Sequence, residues 1–430
     1  MSRLAESASM TFRSIRQFRN YRLWFIGQVI SVSGTWVQNV AQAWFIVSLT
    51  HSAFALGLLA VAQFGPYFIL GLFGGAVSDR LNKRHILIFT QSALAVSAGV
   101  LAVLALTGVA TPLDVYLLAT FNGIIQVLDT PARQAFTIDM VGRKQLSNAV
   151  ALNSSIFNAS RAVGPAIGGL LTAAVGVGAC FAVNSVSFLA VLTALLLMDT
   201  RQLQNQEKST THRRLLRETV DGIAHAWKTP TIRLVTGMML VIGTVSINFN
   251  VLLPVLAQRT LNSGPVTFGW LSAAFGGGAL IGALTSATLA RASNRALLAG
   301  GLLFGVGELL LAPLTNIGLC ALALVITGFA FSLYASMSNS SIQMVVADAF
   351  RGRVMGIYGY VFFGTAPIGG LLAGALAQAG GTFLAFSVAG GVAVGTTLLG
   401  AAHLLRVSRR HAQLVEAATI AAPELSLPRE

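Results

Sequence analysis

The feature that most constrains this chain is a series of twelve apolar runs, each long enough to cross a lipid bilayer as a helix. Roughly 20 apolar residues are needed to cross about 30 Å of hydrocarbon. Each run must be helical, because no water is present there to bind unpaired backbone groups. The sequence therefore predicts an all-α integral membrane protein with twelve transmembrane helices at 23–48, 54–77, 86–107, 113–131, 151–173, 177–198, 232–257, 266–290, 296–313, 317–337, 354–377 and 381–405.

The composition excludes a soluble protein. Hydrophobic residues make up 55% of the 430 residues and charged residues only 10%, with a mean hydropathy of +0.74. Soluble domains carry charge on about a quarter of their residues, so most of this surface must face lipid. The two cysteines, Cys180 and Cys320, lie far apart in apolar runs. They predict neither a disulfide framework nor a metal site, and no cofactor is expected.

The basic residues predict which loops face the cytoplasm. Of 28 Lys and Arg residues, 26 lie at the two termini or in alternate loops, whereas Arg259 lies on the opposite side and Arg161 inside a run. Lys and Arg are retained on the cytoplasmic side during insertion, so both termini are predicted to lie in the cytoplasm. The predicted location of the protein is the cell membrane (the plasma or inner membrane). The net charge of +14 therefore reflects topology and contact with anionic lipid rather than nucleic acid.

A hydrophilic stretch divides the chain near its middle. Within it, the apolar residues of Leu215–Trp227 recur at helical spacing, which predicts a short amphipathic helix on the membrane surface. The predicted organisation is an N-terminal six-helix bundle at 1–198, a cytoplasmic linker at 199–231, a C-terminal six-helix bundle at 232–405 and a cytoplasmic tail at 406–430.

The two halves repeat each other weakly, but in the same order along the chain. Many secondary transporters are built from such repeats, with the substrate site where the repeats meet. We therefore expect two pseudo-symmetric bundles. The matched elements are Gly34-Thr35 and Asn39 with Gly243-Thr244 and Asn248, Gly57 with Gly269, and Gly164–Leu171 with Ala366–Leu372.

The loop after the second run resembles the signature G-x-x-x-D-R-x-G-R-R of the major facilitator superfamily. Asn82 replaces the second glycine of the signature, and Asn tolerates the left-handed backbone that glycine would supply. The resemblance implies the major facilitator fold and a gate that latches the two halves together on the cytoplasmic side. The gate residues it implies are Gly75, Asp79, Arg80, Lys83 and Arg84 in this loop, with Asp129 and Arg133 from the fourth run.

The fifth run resembles the G-P-x-x-G-G element of antiporters in this superfamily. Pro165 removes a backbone hydrogen bond and kinks the helix, while the glycines allow a neighbouring backbone to approach closely. A hinge is the functional interpretation, and ordinary packing of small residues is the alternative. The residues concerned are Arg161, Gly164, Pro165, Gly168 and Gly169.

Polar side chains form stripes on the first, fourth, seventh and tenth runs, at steps of three and four residues. Such stripes cannot face lipid, so they line a cavity or bond to neighbouring helices. In the major facilitator fold, these four helices surround the cavity. The predicted cavity residues are Gln28, Thr35, Gln38, Asn39, Gln42, Asn122, Gln126, Asn248, Ser336 and Asn339.

Three charged residues inside the runs need an explanation, because each costs at least about 2.5 kcal/mol at the bilayer centre. Arg161 either pairs with an acid or binds an anionic group of the substrate. Asp129 holds the gate or carries a proton. Glu308 is the second candidate for proton coupling, and a carboxylate that snorkels to the outer interface is its alternative.

Two further segments, Phe18–Arg22 and Asp129–Ala135, resemble the drug-efflux branch that includes macrolide exporters and the enterobactin exporter. This resemblance implies a monomer that exports an amphipathic small molecule by alternating access, in exchange for protons. An uncoupled facilitator, or an importer of a small metabolite, is the nearest alternative. A membrane enzyme is the alternative from another class. Against it, the sequence has no H-E-x-x-H, no nucleophile elbow and no paired-acid metal motif, so we expect no enzyme activity.

Overall fold

The computed structural model describes residues 12–204, 224, 227–289, 293–347 and 350–421. The predicted amphipathic helix falls almost entirely outside these residues. At the predicted gate, the surroundings of Gly75 and the side chains of Asp79 and Arg80 also lie outside the described part.

The described residues form α-helices joined by short turns, with no strand among them. A five-residue π-helical turn, Leu256–Thr260, extends the seventh helix. The helices are α1 (Arg13–Gln17), α2 (Arg19–Thr50), α3 (Ala53–Arg80), α4 (Lys83–Leu106), α5 (Pro112–Leu197), α6 (Pro230–Val245), α7 (Phe249–Val255), α8 (Pro265–Thr288), α9 (Asn294–Leu311), α10 (Ile317–Val345), α11 (Arg351–Gly364) and α12 (Ala366–Ala421).

Two of these helices are too long to cross a membrane once. The 86 residues of α5 would extend about 130 Å as one rod, several times the hydrocarbon thickness. The backbone turns at Gly142 and Gly176, where φ is +69° and +81°, values that glycine adopts without steric cost. Gly381 does the same in α12, with φ +68°. We call the resulting segments α5a (112–141), α5b (143–175), α5c (177–197), α12a (366–379) and α12b (382–421).

Eight of the described helical stretches are long and apolar enough to cross a membrane, when α5, Pro230–Thr260 and Arg353–Arg406 are each counted once; the more polar α2 is not among the eight. The chain is therefore a multi-pass, all-α membrane protein. The exact count of twelve spans stays a prediction, because helix length and composition alone do not divide the elements further.

The turn that joins α3 to α4 differs from the expectation at Asn82. This residue has φ −69° and ψ 114°, an extended conformation that any residue adopts. Its side-chain oxygen accepts hydrogen bonds from the backbone N–H groups of Arg84 and His85. Asn82 therefore caps the start of α4, and the left-handed turn expected at this position does not occur.

We describe the helices in the two groups that the sequence predicts, α1–α5 (the first bundle) and α6–α12 (the second bundle). In the first, α2 packs along α5. In the second, α8 packs along α10, α9 packs on both α10 and α12, and the core is rich in phenylalanine. Phe249 stacks on Phe275 with ring centroids 4.3 Å apart, and Phe304 and Phe331 continue the cluster. The bundles meet where α5b packs against α8 and where α3 packs against α12a.

Candidate functional site

The two bundles are joined by two seams of glycine contacts, which are related to each other by the sequence repeat. In the first seam, a Cβ atom on Gly169 of α5b would lie 2.7 Å from the Cα of Gly269 in α8. In the second, a Cβ on Gly57 of α3 would lie 2.7 Å from the carbonyl oxygen of Gly370 in α12a. Gly57 and Gly269 are repeat partners, as are Gly169 and Gly370. The helices that contact the other half, α3 and α5b in the first half and α8 and α12a in the second, are therefore equivalent in the repeat.

Polar contacts join the bundles next to these seams, at the face predicted to lie outside the cell. The side-chain oxygen of Gln378 in α12a accepts hydrogen bonds from the backbone N–H of Ala53 at 3.0 Å and the hydroxyl of Ser52 at 3.4 Å. Arg259 donates to the carbonyl of His51 and, at 3.3 Å, to Gln378. The bundles are therefore in contact at this face.

Within the fifth run, the segment around Pro165 packs against two different helices, α2 and α8. A Cβ on Gly164 would press on Trp36 of α2, and one on Gly168 would lie 3.2 Å from the Cα of Val37. Pro165 has no N–H to donate to the carbonyl of Arg161 one turn earlier. The backbone of α8 approaches that carbonyl, since a Cβ on Gly276 would lie 2.6 Å from its oxygen. The missing backbone hydrogen bond, the packing on α2 and the contact with the other bundle thus coincide within about one turn, and the backbone stays helical there.

The side chain of Arg161 makes few polar contacts with its surroundings. It is half-buried, and its Nη2 donates to the side-chain oxygen of Asn158 at 3.2 Å. Its Nε is buried without a hydrogen-bond partner. Among the described residues no carboxylate pairs with it, so the ion-pair interpretation finds no partner there. One turn earlier on the same helix, Phe157 packs edge-on against Trp36 of α2, with the ring centroids 6.0 Å apart.

Asp129 of α5a lies in a network of donors within the first bundle. It is fully buried, and its Oδ1 accepts hydrogen bonds from Thr90 at 2.7 Å and Gln91 at 2.8 Å. Its Oδ2 binds both the Nε, at 3.0 Å, and the Nη2 of Arg133. The same guanidinium donates to Gln28 of α2. These contacts hold α2, α4 and α5a together.

The other basic residues of the predicted gate take separate partners. Arg84 donates to the carbonyl of Leu195 at 2.9 Å, and not to Asp129. Lys83 lies 2.9 Å from both carboxylate oxygens of Asp139. The structure therefore pairs Asp129 with Arg133, whereas Lys83 and Arg84 at the start of α4 contact other parts of α5.

The predicted cavity residues fall into two groups. Gln28, Gln38 and Gln42 are buried and bond within the first bundle. Gln38, for example, accepts a hydrogen bond from Asn184 at 2.6 Å. Asn248 is also buried and donates to the carbonyl of Thr244 at 2.8 Å. The second group is more accessible, because Asn39 is exposed and the others are half-buried; they are Thr35, Asn122, Gln126, Ser336 and Asn339.

Glu308 is not at the outer interface, where a snorkelling carboxylate would be. It is fully buried inside the second bundle, and neither of its carboxyl oxygens has a hydrogen-bond partner. The residue beside it is Ser246, which lies in the break between α6 and α7.

Sequence reasoning missed several residues that complete these sites. Thr90 and Gln91, the partners of Asp129, gave only a weak signal: two adjacent polar residues inside an apolar run. Asn158 lies on the fifth run and Gln378 just after the eleventh, so both are outside the four polar stripes. The location of Ser246 could not be found either, because the break in the seventh run has no proline or glycine pair to mark it.

A model of the transmembrane secretion effector family matches residues 9–428, almost the entire chain. The chain belongs to this family. The family is part of the major facilitator superfamily, as the loop after the second run led us to expect. Its members are membrane transporters and not enzymes.

Three relatives with assigned roles resemble the chain over most of their length. The multidrug efflux pump Tap of Mycolicibacterium fortuitum is 29% identical, over 83% of this chain and 89% of its own. The staphyloferrin A transporter of Staphylococcus aureus is 25% identical, over 86% and 92%. The enterobactin exporter EntS of Shigella boydii is 28% identical, over 79% and 80%.

Solved structures share the fold. The crystal structure of a mutant of the nucleoside transporter NupG superposes with a TM-score of 0.73, covering 89% of this chain and 99% of the other. Only 12% of the residues are identical, so this likeness shows the major facilitator fold and nothing about substrate.

Proposed function

We propose that this protein exports amphipathic small molecules, of drug or siderophore type, from the cytoplasm in exchange for protons. The observation that carries the proposal is the match to the secretion effector family along the whole chain, together with relatives named as a drug pump and siderophore transporters. The predicted orientation, with both termini inside the cell, makes the basic loops the side from which substrate enters.

Alternating access is supported by the two glycine seams. Two bundles joined by symmetric seams at one face can rock apart there and close at the other face, around a site between them. The seams and the hydrogen bonds of Gln378 would then be broken whenever the predicted outer face opens. The loop with Asp79, Arg80, Lys83 and Arg84 would close the opposite face, and Asp129 with Arg133 would hold its base in shape.

Substrate would be bound between the bundles, near Arg161. This cation lies beside the contact between α5b and α8, and it lacks a carboxylate partner among the described residues. The rings of Phe157 and Trp36 supply apolar surface about one turn away. The exposed amide of Asn39, with Ser336 and Asn339 from the other bundle, would supply polar contacts. A pairing of one cation with aromatic rings suits an amphipathic molecule that carries an acidic or strongly polar group.

The test is accumulation of a panel of antibiotics, dyes and siderophores in cells with and without the protein, repeated after a protonophore collapses the proton gradient. We expect at least one compound to accumulate less in expressing cells, and this difference to vanish with the gradient. Export that persists without the gradient would favour the uncoupled facilitator. If no compound differs between the two strains, the export proposal is wrong.

A further inference from the structure

The carboxyl group of Glu308 is isolated inside the second bundle. It has no exposed surface, and neither oxygen makes a hydrogen bond. Where α10 packs on this part of α9, Thr327 lies 3.2 Å from the Cβ position of Gly307. The hydroxyl of Thr327 does not reach Glu308, because it donates to the carbonyl of Ala323 at 2.7 Å.

No charged side chain of the described residues lies against this carboxyl. Around Glu308, α6 and α7 contribute Ser246, and α12b contributes the backbone near Gly390, which packs on Gly305. Two titratable groups of α10 lie about two helical turns to either side: Tyr334, which packs on Gly301, and the buried thiol of Cys320, near the carbonyl of Leu314. An ionised carboxylate with no partner in such surroundings is strongly unfavourable, whereas the neutral acid is tolerated. In this arrangement Glu308 therefore carries a proton.

Ser246 connects this proton to the shape of the bundle. Ser246 lies in the break between α6 and α7, and its hydroxyl donates to the carbonyl of Ala389 in α12b at 2.8 Å. If the acid loses its proton, the new carboxylate is the strongest acceptor nearby, and the hydroxyl can turn toward it. That turn releases the carbonyl of Ala389 and changes the link between α12b and the break in the seventh run.

Asp129 is differently placed. Its two oxygens already accept hydrogen bonds from Thr90, Gln91 and Arg133. Together with the hydrogen bond from Arg133 to Gln28, these contacts tie α2, α4 and α5a together. Asp129 is therefore suited to hold the first bundle in shape.

We propose that Glu308 is the residue that binds and releases the exchanged proton, and that Ser246 transmits its loss to α12b. The first statement rests on the proton antiport proposed above. The step is a simple one: the acid releases H⁺ and becomes a carboxylate, and the same carboxylate binds H⁺ again when the opposite face is open.

The direct test is infrared difference spectroscopy of the full-length protein in lipid nanodiscs, with pH as the variable. We expect a carbonyl-stretch band of a protonated carboxylic acid that disappears as pH rises, and that is missing in Glu308→Gln. Asp129→Asn should keep the band. A band that persists unchanged in Glu308→Gln would overturn the assignment.

A second variant tests the role of Ser246 and keeps the carboxyl in place. Ser246→Ala removes the donor available to the carboxylate, so the band should persist to higher pH, by about one to two units for one charge-assisted hydrogen bond. An unchanged midpoint would show that Ser246 does not sense the proton.

Transport in proteoliposomes, with the anionic amphipathic dye sulforhodamine B as the probe, separates this inference from the proposed function. Glu308→Gln should lose dye movement driven by a pH gradient and keep dye exchange at equal pH. Gradient-driven movement equal to that of the unmodified protein would refute the coupling role. If the unmodified protein itself shows no gradient-driven movement, antiport of this probe is wrong, while the infrared result still decides whether Glu308 exchanges a proton.

Discussion

Adding a single methyl group at Gly276 should weaken the contact between the two bundles. The Cβ of Ala at this position would lie 2.6 Å from the carbonyl oxygen of Arg161 and 2.9 Å from the Cα of Ala162. Both are backbone atoms of α5b, so no side chain can rotate to make room. To restore an ordinary contact of 3.4 Å, α8 and α5b must separate locally by about 0.8 Å.

The neighbouring residue supplies a matched control. Gly277 lies in the same helix, and a Cβ there would meet no atom within 4 Å. Gly276→Ala and Gly277→Ala gain the same helix propensity, so the difference between them isolates the clash. Overpacking of this kind costs roughly 1–3 kcal/mol. The clash exists only while the seam is closed, so Gly276→Ala should shift the equilibrium away from that state by about 5- to 150-fold.

Distance measurement between spin labels can detect this shift. Cysteines at Val109 and Thr315 would place one label on each bundle, at exposed positions of the predicted outer face. The two native cysteines are buried and should label poorly. We expect Gly276→Ala to populate longer distances and Gly277→Ala to match the parent. Identical distributions for the two variants would refute the idea that this seam closes the outer face.

Three further predictions follow from charged and polar contacts. Asp129→Asn replaces a fully buried carboxylate that accepts hydrogen bonds from three side chains, and should lower stability by roughly 3–5 kcal/mol. Asp139→Asn changes a less deeply buried carboxylate whose side-chain partner is Lys83, and should cost about 1 kcal/mol or less. Thermal unfolding in detergent will compare the two. Arg161→Ala should abolish export at normal membrane abundance, and Arg161→Lys should retain folding with altered substrate preference because Lys lacks the planar fork of the guanidinium; unchanged export of every compound by the Ala variant would contradict a substrate contact. Gln378→Ala removes the side-chain oxygen that accepts the hydrogen bond from the backbone N–H of Ala53, and should therefore favour opening of the outer face. A cysteine introduced at Ser52 should then react faster with a water-soluble thiol reagent.

The bundles and their interface could be predicted from the sequence to an unusual extent, because membrane physics limits the choices. A long apolar run must be a helix, and a glycine in such a run marks a position where another backbone can approach. The sequence paired Gly57 with Gly269, and Gly169 with Gly370, as repeats. It did not reveal that Gly57 contacts Gly370 and that Gly169 contacts Gly269. Contacts between the two halves depend on how the bundles are placed, which the repeat does not specify.

The polar residues could be predicted less well, because spacing identifies a face and does not identify the partner. Gln28 and Gln38 lie on the predicted stripe of α2, but they bond to Arg133 and Asn184 within their own bundle. Arg84 illustrates the same limit. Its place in the gate motif suggested a carboxylate partner, whereas its guanidinium reaches the carbonyl of Leu195 near the end of α5c.

Glu308 and Asp129 show why a buried charge cannot be interpreted from its position along a helix. Both are single acids in apolar runs, and insertion energetics assigns each a similar cost. What separates them is the set of donors that the fold supplies. Around Asp129, three side chains from two helices converge on the carboxyl group, which gives it a structural role within the first bundle. Around Glu308, the hydroxyls of Ser246 and Thr327 donate to backbone carbonyls, so a carboxylate formed there gains a donor only when one of them turns away from its carbonyl. Proton release from Glu308 is therefore coupled to a change in conformation, because the carboxylate is tolerated only after the neighbouring hydroxyl groups rearrange.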